Sequence, residues 1–139
     1  MPNTKKPLVV YCDPKHKEIY DNILKDEMFK KTGMHLKDIF LLAMTLGFYK
    51  KRRKKLPRSK LDIIRTIDFE TKENIISSIA IASEGNLDIL VDKKRIYEIA
   101  EEYANGGIEL LSGIILGVES YGTPSKVIEN ELLEIVKGI

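Results

Sequence analysis

Six consecutive cations, Lys50, Lys51, Arg52, Arg53, Lys54 and Lys55, are the residues of this 139-residue chain whose type and spacing point most directly to a chemistry. Each can neutralise an anionic oxygen, and six like charges in a row repel one another unless an anion answers them. Nucleic acid, met through its phosphates, is the first partner to expect, with Arg58 and Lys60 on the same surface and Lys30, Lys31 and Arg65 as extensions of it. Phosphate contacts position a protein without reading bases, so binding without marked base preference follows. An acidic protein partner would be served by the same residues.

Catalytic candidates are few. Cys12, Asp13 and His16 lie close enough to suggest a Cys–His nucleophile or part of a metal site. Asp13 is better placed as a helix cap, however, and His16 is expected in the exposed first turn that follows it. Three ligands without a fourth make no structural zinc site. Glu98, Glu101, Glu102 and Glu109 read as a solvated helix face, with Glu98 and Glu102 an i, i+4 pair. No GxSxG, HExxH or kinase-like set occurs. The expectation is a non-enzymatic protein with no catalytic residue, metal or cofactor.

The elements that must position the cations begin with the helix before them. Leu36, Ile39, Phe40, Ala43 and Gly47 form one stripe, and Leu41, Leu42, Met44 and Leu46 fill the other faces, so this helix should be buried nearly all round. The cations sit at or past its C-terminus, where the macrodipole favours them. Upstream, an arm at 1–7 leads to a short strand at Leu8–Tyr11 and a helix from about Pro14 to Lys25. Strand, helix, a turn near Gly33 and a second helix follow the order of ribbon-helix-helix DNA-binding proteins. Leu8–Tyr11 is apolar throughout, which suits burial better than base reading.

Downstream, Leu61–Phe69 has no clear period. Thr71 can cap a helix whose stripe is Ile75, Ile76, Ile79 and Ala80, ended by Gly85 and Asn86, and Leu87–Val91 is strand or turn. Asp92 caps a long helix from about Lys93 to Leu116, in which Gly106 and Gly107 mark a helix junction or a close approach of another backbone. No phosphate-loop pattern surrounds that pair. Thr123 and Pro124 open a last helix bearing Ile128, Leu132, Ile135 and Ile139. The architecture expected is mainly α, a single-domain bundle spanning 1–139 with about five helices, a short N-terminal strand and room for one more.

Composition agrees with a globular fold: 43% hydrophobic and 32% charged residues. Cys12 is the only cysteine, so no internal disulfide forms, and a cytoplasmic setting is expected. No apolar run approaches the roughly 20 residues that span a bilayer. The net charge of +2 hides a division, for residues 1–65 hold 17 Lys or Arg against 7 Asp or Glu, and residues 66–139 hold 6 against 14. A basic working face balanced by an acidic half is implied.

Three stretches, LKDIFLLAMTLGFYKKRRKKL, IAIASEGNLDIL and IYEIAEEYANGGIELLSGI, together resemble the small accessory proteins of DNA phosphorothioation, the Dnd-system associated family. The resemblance rests on the helix around Asp38, Leu46 and Gly47, on Ala80, Ala82, Glu84 and Gly85, and on Glu101–Gly107. It implies a prokaryotic protein working beside the other subunits of a DNA modification or restriction system, with DNA as the partner; a homodimer is allowed by the last helix, whose apolar stripe could dock on the domain or on a second copy. It supplies no site residues. An interaction subunit docking an acidic partner and a ribbon-helix-helix-like dimeric regulator are the alternatives.

Overall fold

The fold is organised by one helix crossing. A computed structural model describes residues 8–116, leaving the arm at 1–7 and the helix expected after Thr123 outside the described residues. Within them the order is β1 (Val9–Cys12), α1 (Lys17–Lys25), α2 (Leu36–Tyr49), β2 (Leu61–Arg65), α3 (Glu73–Glu84) and α4 (Lys93–Leu116). A single helical turn at Glu27–Lys30 and 3-10 segments at Pro14–His16, Thr66–Lys72 and Leu87–Val91 join them. Four helices of more than one turn are therefore present among the described residues, where about five were expected over the whole chain.

α2 makes its most extensive contacts with α4. Ile39, Phe40, Leu41, Ala43, Met44, Leu46 and Gly47 are all buried, as the apolar composition of that helix on every face requires. Gly47 meets Tyr103 while Ala43 meets Gly107, so the two helices run antiparallel. Their backbones touch: a Cβ on Gly107 would lie 1.9 Å from the Ala43 carbonyl oxygen, and one on Gly47 would lie 2.0 Å from that of Tyr103. α4 runs unbroken through Gly106 and Gly107. The expected junction is thus corrected, because the glycines serve close approach and the helix continues.

Asp13 caps the first turn by accepting from the Lys15 amide at 3.1 Å, and Asp92 does the same for Arg95 at 3.0 Å. Gly85 ends α3 with φ of 67°, as a left-handed cap favours. Thr71 is no cap, for it lies inside the 3-10 segment and Lys72 precedes the helix. Ile75 was expected in the buried stripe and is exposed, leaving Ile76, Ile79 and Ala80 inside.

β1 pairs antiparallel with β2 of the same chain, whereas ribbon-helix-helix strands pair between two chains. The register breaks between Val10 and Tyr11, where Val10 faces Ile64 and Tyr11 faces Asp62. Phe69 packs its ring against those of Phe40 and Tyr97, with centroids 5.5 and 6.3 Å away, so the segment after β2 closes over the core. No helix among the described residues is long and apolar enough to cross a membrane.

Candidate nucleic-acid interface

The basic run leaves the helix at once. α2 stops at Tyr49 through a Schellman motif: the Arg52 amide donates to the Gly47 carbonyl at 2.8 Å and the Lys51 amide to Phe48 at 3.1 Å. This geometry puts Lys51 in the left-handed region, with φ of 57°, where glycine is the easier residue. The chain then lies as an extended strap along α4. The Lys54 amide donates to the Glu102 carbonyl at 3.0 Å, and Asn105 Nδ2 donates to the carbonyls of Lys54 and Lys55 at 3.1 and 3.2 Å. Gly106 lets the strap sit down, since a Cβ there would come within 1.5 Å of the Arg52 carbonyl oxygen.

With its backbone held, the strap divides its side chains. Lys50, Lys51, Lys54 and Lys55 are exposed, as are Arg58 and Lys60 beyond them. Lys50 Nζ lies 5.4 Å from the Tyr49 ring centroid. Arg52 is half-buried, and its Nε has no hydrogen-bond partner among the described residues. Arg53 turns inward. Its Nε donates to Glu102 at 2.6 Å, its Nη1 donates to Ser83 at 3.0 Å and to Glu84 at 3.3 Å, and its guanidinium lies 5.7 Å from the Tyr103 ring centroid. Burial works against its charge, but the bonds to Glu102 and Glu84 outweigh that and hold its pKa above the usual value. Lys30 and Lys31 are exposed beside the one-turn helix, and Arg65 is exposed within 3.8 Å of Asp68.

The Cys12, Asp13 and His16 group does not assemble as a nucleophile. Cys12 is buried, and burial pushes its thiol up to about 11, opposite to the thiolate that attack requires. His16 was expected in an exposed turn and is buried, with Nε2 2.9 Å from Glu109 Oε1 on α4. That bond holds the Glu109 carboxyl below its usual range, helped by the charges of Lys54 and Lys15. No group of three metal-ligating side chains occurs among the described residues.

The acidic face also needs correction. Glu98 and Glu109 do reach solvent, but Glu102 is half-buried and Glu101 is only 5% exposed. Glu101 Oε2 accepts the Tyr11 amide at 2.9 Å, at the point where the β1–β2 register breaks. Burial above all pushes its carboxyl up to about 7, against the opposing pull of that amide and of Lys60. A signal for this was present, since Tyr97, Glu101, Ala104 and Ile108 recur at helical spacing on one buried stripe.

A family model described as DNA sulphur modification system-associated protein 4 matches residues 14–131, a range containing all three stretches quoted above. No curated protein and no solved structure matches the chain.

Proposed function

The chain belongs to the family of DNA sulphur modification system-associated protein 4, and from that premise we propose that it is a non-enzymatic accessory subunit that holds DNA by its phosphates. Lys50, Lys51, Arg52, Lys54 and Lys55 make the contacts, with Arg58 and Lys60 extending them, while Arg53 anchors the strap. It works in the cytoplasm beside the other subunits of the system.

The observation that carries this reading is the strap itself. Its backbone is pinned to α4 by Asn105 and the Glu102 carbonyl, yet Lys51, Lys54 and Lys55 are exposed. A run that served only to end α2 would not need so rigid a seat. Lysines on a fixed backbone lose less freedom when they meet phosphates than lysines on a loose tail. Lys51 sharpens the point, because glycine would relieve its left-handed backbone and lysine brings a charge instead.

The test is fluorescence anisotropy of a short blunt duplex at several salt concentrations, comparing the native chain with one carrying Gln at Lys50, Lys51, Lys54 and Lys55. Binding that weakens with salt and is lost in the variant supports the reading. An absence of binding at low salt overturns it and leaves the strap to an acidic protein.

A further inference from the structure

A cavity of about 160 Å³ opens beside the strap, between β1 and α4, with Glu101 lining it. Tyr11 and Tyr97 supply aromatic wall, Lys60 and Lys94 are exposed at its edge, and Glu98 lies one turn before Glu101 on α4. The strap rests on the turn of α4 at 102–106, and the cavity occupies the preceding turns. Lys60 joins the two, belonging to the basic segment and lining the cavity, with Nζ 4.6 Å from the Tyr11 ring centroid.

The fold does not by itself explain a carboxylate at this place. The Tyr11 amide needs one acceptor, which the oxygen of a Gln would supply without the cost of burying a charge. A carboxylate has about four acceptor positions, and Tyr11 takes one. The charges of the cavity limit what it can receive. A phosphate inside would meet Glu98 and Glu101, and a metal ion or free amine would meet Lys60 and Lys94. A flat neutral group bearing N–H donors meets neither obstacle, and an anion attached to it can rest on the lysines outside.

We infer that this cavity receives an unpaired DNA base carrying an exocyclic amino group, cytosine first, with its N4 amino group donating to Glu101, its ring between tyrosine walls and the flanking phosphates on Lys60 and Lys94. Carboxylate acceptance from cytosine N4 is a known base contact, and aromatic walls suit unstacked bases. Glu101 serves in either protonation state, since the ionised form accepts from N4 and the protonated form can also donate to N3. The assignment rests on the phosphate-holding reading above and adds a base preference confined to single-stranded DNA.

The experiment uses the whole chain and hairpin duplexes of equal length ending blunt, in a short deoxycytidine tail or in a short deoxyuridine tail, followed by anisotropy at low salt. Uracil places an O4 acceptor where cytosine has its amino donor and a proton on N3 where cytosine has a lone pair, so O4 faces the carboxylate in place of a donor, and the loss of that hydrogen bond to a charged group predicts about tenfold tighter binding of the cytidine tail. Glu101→Leu should bring that ratio to one and leave blunt-duplex affinity unchanged. Because Glu101→Leu also removes the acceptor for Tyr11, Lys94→Glu on the exposed rim provides a second variant, which should lose the gain from the tail while binding blunt duplex as before. Equal binding of both tails, with blunt duplex still bound, overturns the cavity assignment and leaves phosphate binding standing. Failure to bind any of the three DNAs overturns both.

Discussion

At the scale of residues, the fold turns a uniform basic run into side chains with different duties. Arg53 lies between Glu102 and Glu84 and is about a quarter exposed, so Arg53→Met should cost about 1–2 kcal/mol, less than a fully buried pair because solvent screens it. Urea unfolding should show that loss, whereas Lys54→Gln on the exposed edge should stay within about 0.5 kcal/mol of the native chain. Lys51→Gly should stabilise by about 1 kcal/mol, since it removes a left-handed side-chain clash. Glu101 has a pH signature of the less common sign. Its folded pKa, near 7, lies above the ordinary carboxyl value, so the native state holds more protons than the unfolded state between about pH 4.5 and 7. Its contribution to stability is therefore greatest below that window, declines as pH rises through it and is level above it. Glu101→Gln, which keeps an acceptor for Tyr11, should be more stable than the native chain at pH 8 and nearly equal to it at pH 4.5, by urea unfolding at both. A variant weaker at pH 8 would show that Lys60 stabilises the ionised carboxylate more than burial penalises it.

At the scale of elements, the crossing of α2 and α4 depends on glycines that local sequence reading places in different roles. Gly106 and Gly107 look like a helix breaker when only neighbouring residues are considered, because their cost is local and their benefit comes from Ala43 and Arg52, more than fifty residues away. Gly47 is likewise read as one more small residue on a stripe, although Tyr103 lies against it. Gly113 is the internal control, a glycine of the same helix with open space where its Cβ would go. Gly113→Ala should stabilise by roughly 0.5–1 kcal/mol, and Gly107→Ala should destabilise by about 3 kcal/mol or more as the helices are forced apart. Thermal unfolding of the two variants side by side separates helix propensity from packing. If both alanines raised Tm, the close approach would not be what holds these glycines. Where a signal was periodic and long, as in α2 and α4, the sequence revealed the element, and for α2 its buried face as well. Where it depended on a partner strand, as in Leu61–Arg65, the segment had no legible shape, because β1 supplies the pairing from the other end of the basic half.

At the scale of the whole molecule, the division into a basic first half and an acidic second half is answered inside the fold at a few points only. Arg53 with Glu102 and Glu84, His16 with Glu109, and the pull of Lys60 on Glu101 all join residues before 66 to residues after 72. The sequence disclosed the charges, the run and the helix before it, but it could not tell which cation would be consumed in closing the structure. That distinction is measurable in DNA binding, because counterion release counts phosphates neutralised and ignores cations already paired within the protein. With Arg53 engaged, Lys51, Arg52, Lys54 and Lys55 should give a slope of log affinity against log salt of roughly −3 to −4. Lys54→Gln should lower the magnitude of that slope by about 1. Arg53→Gln should weaken binding by loosening the strap from α4 while leaving the slope where it was, since no phosphate contact is lost. A slope reduced equally by both substitutions would mean that DNA draws Arg53 away from Glu102 and Glu84, and the anchor would then be part of the grip.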